Sequence, residues 1–111
     1  MKTQQELEAM TDFELSCAVL EFGKWYNGEE FTKNEAPSKA TFKSGNAHYH
    51  FDINDWCDCG KLIDGLSPHR LAIGRDFVEY VRIGVDYTLI QNSPSIKRAI
   101  TIVYILIKQG E

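Results

Sequence analysis

Leu15, Ala18, Val19, Phe22 and Tyr26 recur at helical spacing, and this apolar stripe predicts a helix over 12–26. Thr11-Asp12-Phe13-Glu14 supplies its start as a capping box. The Thr11 hydroxyl takes a free N–H near Glu14, and the Glu14 carboxylate returns the contact. Met10, just before the cap, is placed to staple onto Leu15. Asn27-Gly28 ends the stripe, because glycine tolerates the left-handed conformation at a helix C-terminus.

The pattern then changes period. Residues 29–38 are polar, contain Pro37 and read as a loop. Thr41–Lys43 and His48–Ile53 alternate around Ser44-Gly45-Asn46, which predicts a hairpin. Tyr49, Phe51 and Ile53 share one face of its second strand, and His48, His50 and Asp52 share the other. Trp56, Cys59, Leu62, Ile63 and Leu66 return to helical offsets and predict a short helix over 56–64, capped by Asn54 or Asp55. Three short β candidates follow at 70–73, 77–83 and 87–90, punctuated by Gly74, Gly84 and Asn92.

The last segment presents a conflict of signals. Its β-branched run (Ile100, Thr101, Ile102, Val103, Ile105, Ile107) favours a strand on propensity. Its phasing (Ile96, Ala99, Ile100, Val103, Ile107) and the opening Ser93-Pro94 favour a helix, with serine as cap and proline at the first helical position. We read a helix over 93–109, with Gly110 at its end and Lys108 placed well for the helix dipole. Apolar residues nearly encircle it, so it must be covered on most sides.

The sum is a single α+β domain spanning 1–111: a small antiparallel sheet packed against two or three helices, with a largely buried C-terminal helix. Composition agrees, since 43% apolar and 25% charged residues suit a globular chain rather than a disordered one. A net charge of −4 without a long basic track argues against nucleic-acid binding and suits a basic protein surface. The apolar stretch from Ala99 to Ile107 is about half the length that spans a bilayer, so no membrane is expected. No apolar leader follows Met1, and three cysteines do not suggest a disulfide framework, which points to the cytoplasm.

Candidate chemistry concentrates between His48 and Asp64. His48 and His50 with Cys57 and Cys59 have the ligand types for zinc. On a helix, however, residues two apart diverge by ~200 degrees, so the two cysteines do not face one metal. A Cys57–His50 nucleophile pair is disfavoured by Asp52, Asp55 and Asp58, whose charges raise a thiol pKa, and no oxyanion feature accompanies it. The aspartates Asp52, Asp55, Asp58 and Asp64 lack the spacing of a calcium loop. They read better as caps and ion-pair partners, with Lys61 and Arg70 nearby. Neither a catalytic constellation nor a cofactor or metal site is expected. Trp56 either clamps its helix to the sheet or stands out as a binding residue.

Three segments carry a family resemblance: Asp12-Phe13-Glu14-Leu15, Trp56-Cys57-Asp58-Cys59-Gly60-Lys61-Leu62-Ile63, and Pro94 with Arg98-Ala99-Ile100-Thr101-Ile102-Val103-Tyr104. Together they make the chain resemble the NinX-like proteins of lambdoid phages and prophages, a family of small proteins of unknown function. That family's middle motif has the form Trp-Ala-Asp-Ala-Gly-Pro-Ile-Ile. Trp56, Asp58, Gly60 and Ile63 agree with it. Cys57 and Cys59 stand where the family has alanines, which speaks against ligand roles, and Lys61 replaces a proline. The resemblance implies a phage accessory role in the host cytoplasm.

The expected function is therefore an interaction protein that binds a host or phage protein through Trp56, Asp58, Asp55, His50 and Lys61. The alternative is a small enzyme or ligand-binding domain using the Asp52, Asp55, Asp58 and Asp64 carboxylates with His50. A homodimer is a further expectation, since a two-fold partner is one way to cover the apolar last helix.

Overall fold

The computed structural model describes residues 2–22, 30–33, 38–44, 47–66, 70–81, 88–92 and 95–109. Within them run α1 (Gln4–Glu8), α2 (Asp12–Phe22), β1 (Glu30–Lys33), β2 (Lys39–Ser44), β3 (Ala47–Asp52), α3 (Trp56–Gly65), β4 (Arg70–Ile73), β5 (Phe77–Val81), β6 (Thr88–Asn92) and α4 (Ile96–Gln109). The strands form two antiparallel three-stranded sheets, β1-β2-β3 and β4-β5-β6. α2 packs on β2 and β3 and against α4, while α4 packs on β5 and β6. The helices thus fill the space between the two sheets, an α+β arrangement.

α4 is the centre of the molecule. All seven residues from Ala99 to Ile105 are buried, including Thr101 and Tyr104. Covering comes from α1, α2, α3 and the second sheet, so every side of the helix finds apolar partners. The β-branched run is thereby accommodated, because tertiary burial outweighs a propensity difference of a few tenths of a kcal/mol per residue. Thr101 enters the core by donating its hydroxyl to the Lys97 carbonyl one turn back (2.8 Å). Since these faces are covered within one chain, α4 itself gives no reason for a second copy. Ser93, Pro94 and Gly110 lie outside the described residues. The hydroxyl that accepts from the first turn of α4 is that of Ser95, from the Arg98 N–H (3.3 Å).

α2 carries the expected capping box: the Thr11 N–H donates to Glu14 Oε1 (3.1 Å) and the Glu14 N–H to Thr11 Oγ1 (3.2 Å). Its buried residues are Leu15, Ser16, Ala18, Val19 and Leu20, wider than a single stripe. The reason is position, since α2 has a sheet on one side and α4 on the other. The predicted end at 26 falls on residues outside those described.

The β2–β3 hairpin forms as expected, with Phe42 opposite Tyr49 and Ala40 opposite Phe51. Ala40, Phe42, Phe51 and Ile53 are buried on the core side, and His48 and His50 are exposed. Two elements differ from the sequence reading. Residues 30–33, read as loop, form strand β1 against β2, with Phe31 opposite Phe42. A four-residue edge strand with charged ends has too few alternations to stand out, and its ladder comes from a distant partner. α1 was also illegible, although Thr3 and Glu6 make a second capping box. It has one buried apolar residue, Leu7, and five residues form no stable helix alone.

α1 is instead held by polar ties. Gln91 on β6, fully buried, donates to Glu8 Oε1 (3.0 Å) and accepts from Gln4 Nε2 (2.6 Å). Arg98 on α4 spans the α1–α2 link, pairing with Asp12 Oδ1 (2.7 Å) and donating to the carbonyls of Glu8 (2.9 Å) and Met10. One guanidinium thus fixes two helices against α4 through its fork of donors.

Candidate functional site: the β3–α3 corner

β3 ends at Asp52 and α3 begins at Trp56, and this turn carries most of the residues singled out above. The Asp55 N–H donates to the Asp52 carbonyl (3.0 Å), which turns the chain. Asp52 Oδ1 accepts from the Ser38 hydroxyl (2.6 Å) and the Asn54 N–H (2.9 Å). Asp55 is the cap of α3, its Oδ1 taking the Cys57 N–H (2.8 Å). Asp58, only 6% exposed, reaches back so that Oδ2 takes the Asp52 N–H (2.9 Å). Its other oxygen lies 3.5 Å from Lys61 Nζ.

The next peptide group is held from both sides. The Ile53 N–H donates to Ser16 Oγ of α2 (3.1 Å), and the Ile53 carbonyl accepts from the Cys59 thiol (3.4 Å). Successive backbone groups of the corner are therefore satisfied by side chains of α2 and α3. Hydrogen bonds to ionised groups contribute about 1.5–3 kcal/mol each, so the corner is rigid.

Trp56 does not clamp α3 to the sheet; it is 57% exposed. Position decides this: Cys59, Leu62 and Leu66 take the inward face of the amphipathic helix, and Trp56 in its first turn stands beyond them. The ring does meet one side chain of another element. Lys97 Nζ of α4 sits 5.4 Å from its centroid, within cation–π range, and the same ammonium donates to the Asn54 carbonyl (3.0 Å).

Asp52, Asp55, Asp58, Lys61 and Trp56 thus come together, and each of the first three has a carboxylate oxygen hydrogen-bonded within the corner itself. His50 is exposed on β3 opposite Thr41. Among the described residues no hydrogen bond or ion pair joins it to the carboxylates. Asp64 is exposed near the end of α3. The side chain of Arg70 lies outside the described residues.

Cys57 is exposed and Cys59 buried, the divergence expected of residues two apart on a helix. Burial pushes the Cys59 thiol up to about 11, with the Thr101 hydroxyl opposing the rise. A thiol so placed is a core hydrogen-bond donor rather than a nucleophile. Among the described residues no group of three or more His, Cys, Asp or Glu side chains is placed to hold a metal. No helix of the described residues is long and apolar enough to cross a membrane.

The sequence reading missed Ser16, Lys97, Arg98 and Gln91 as organising residues. Ser16 stood one position from the apolar stripe, where a small polar residue gives no signal. Lys97 and Arg98 were visible as charges, but their partners lie 43 and 86 positions away. Comparison of the chain with protein-family models, curated proteins and solved structures returned no match.

Proposed function

We propose that this chain is a small phage or prophage accessory protein that acts in the host cytoplasm by binding a host or phage protein, without a catalytic step of its own. The observation that carries the reading is Trp56: a large aromatic ring, more than half exposed, on a rigid corner and under a fixed lysine. Tryptophan is enriched among residues that dominate binding energy, because its large amphipathic ring gains much from leaving water. The resemblance to NinX-like proteins adds support, since Trp56 and Asp58 both belong to the shared motif. Asp58 and Asp55 then serve the contact indirectly, by building the platform that carries the ring. Lys61 and His50 are exposed and available as polar rim contacts.

The enzyme or ligand-binding alternative draws less support. It needs free carboxylates, and those of Asp52, Asp55 and Asp58 are engaged by backbone N–H groups.

Replacing Trp56 with a photo-crosslinking phenylalanine analogue in the bacterial host tests the proposal. A specific protein should be captured there and not from the same analogue at Asp64. Binding of the purified partner should then weaken about tenfold or more in Trp56→Ala, with the fold intact by circular dichroism. No specific capture, or equal affinity for Trp56→Ala, would sink the reading.

A further inference from the structure

A second surface is built on α2, from other residues than the β3–α3 corner. Met10, Phe13, Cys17 and Phe22, all half-buried, line an open groove of about 300 Å3 with Ala18. Two exposed carboxylates, Glu14 and Glu21, stand at its rim. Positions 14, 17, 18 and 21 share one helix face, so the carboxylates are two turns and ~10 Å apart with Cys17 and Ala18 between them.

The charges act inside the groove. Burial pushes the Cys17 thiol up to about 11, and the Glu21 and Glu14 carboxylates push in the same direction. Lys2, which also lines the groove, acts on Glu14 and helps hold its carboxyl low. Glu21 has no cationic partner among the described residues. Among the described residues the groove therefore offers an apolar floor with two carboxylates against one lysine, and the Glu21 end carries a negative charge with no cation paired to it.

That combination selects its occupant by charge. A second copy docked face to face would bring the acidic rims together, on a chain already at net −4. A phosphate backbone or an anionic lipid surface would meet the same repulsion. We propose that the α2 groove takes a basic amphipathic segment of a partner protein. One apolar side chain seats among Met10, Phe13, Cys17 and Phe22, and a lysine or arginine about one helical turn away pairs with Glu21.

Selection of a displayed random-peptide library on the full chain tests this. Enriched peptides should carry an aromatic or aliphatic anchor with Lys or Arg one turn away. A synthetic peptide of the winning sequence should perturb the amide resonances of Phe13, Cys17 and Glu21, and its affinity should fall with added salt. Glu21→Lys should weaken binding about tenfold or more and Glu21→Gln by less, both with an unchanged urea midpoint because the side chain is exposed. Four outcomes would overturn the proposal: no enrichment, enrichment of acidic or uncharged peptides, equal affinity for Glu21→Lys, or resonance shifts centred on Trp56. A concentration-dependent dimer broken by Glu21→Lys would place a second copy in the groove instead.

Discussion

α4 and the β3–α3 corner are both rigid, for opposite reasons. α4 carries seven consecutive buried residues and is held by apolar contact on every side. That force has no direction and scales with area removed from water. The corner exposes Trp56, Cys57 and Asp55 to water and is held by side-chain hydrogen bonds to three successive backbone N–H groups, those of Asp52, Ile53 and Asn54, while the Asp55 N–H closes the turn on the Asp52 carbonyl. Those bonds are directional, so they set geometry more than they set stability. A chain that uses area for its centre and geometry for its corner can present a large ring to water without loosening the fold that carries it.

The comparison breaks most visibly at α4. Ile100→Ala should cost about 2–5 kcal/mol, a large share of the stability of a domain this size, read as a lower urea midpoint. Asp58→Ala should cost about 1–3 kcal/mol, because the Asp52 N–H loses its acceptor in a part-buried place. Asp58→Asn should recover part of that loss, since the amide oxygen still accepts. An Asn variant as damaged as the Ala variant would mean that charge, not the backbone contact, is what matters at the corner.

Thr11→Ala should cost about 1 kcal/mol through loss of the cap. The Glu14 carboxylate should also shape the pH profile. Bonds from the Thr3 and Thr11 backbone N–H groups, then from their hydroxyls, hold the Glu6 and Glu14 carboxyls below the ordinary 4.5. A depressed folded pKa gives a stabilising contribution that is complete above 4.5 and is lost as pH falls through the folded value. Urea titrations between about pH 6 and pH 3 should therefore show a shallower acid decline in Glu14→Gln than in wild type, whereas Thr11→Ala keeps the main-chain donor and loses only the smaller hydroxyl share. An unchanged slope would count against the Glu14 contact.

Smaller effects belong to the exposed side of the corner. Trp56→Ala should shift stability by no more than about 1 kcal/mol, the scale of an exposed cation–π contact. A larger loss would show that the ring is part of the core. Thiol titration at about pH 8 should modify exposed Cys57 first, with Cys17 and Cys59 slow until the chain unfolds. Rapid reaction of all three in the native protein would contradict the burial of Cys59.

Local patterns carried a large part of this protein. The Thr11 capping box, the β2–β3 hairpin with its buried Phe51, the Asp55 cap and the helical phase of α4 all rest on residues within a few positions of one another. So does the divergence of Cys57 from Cys59, which follows from helix geometry alone. The sequence was silent wherever partners are distant. β1 exists because β2 pairs with it, and α1 because Gln91 and Arg98 reach it from the far end of the chain. Whether Trp56 would face the sheet or the solvent was likewise settled by the neighbours that Cys59, Leu62 and Leu66 find inside. Periodicity determines which face of an element is apolar, because backbone geometry fixes it locally. Which of two sheets or which helix that face meets is decided by the tertiary structure, because burial is non-directional and many partners would satisfy it until polar groups such as Arg98, Gln91 and Asp58 choose one.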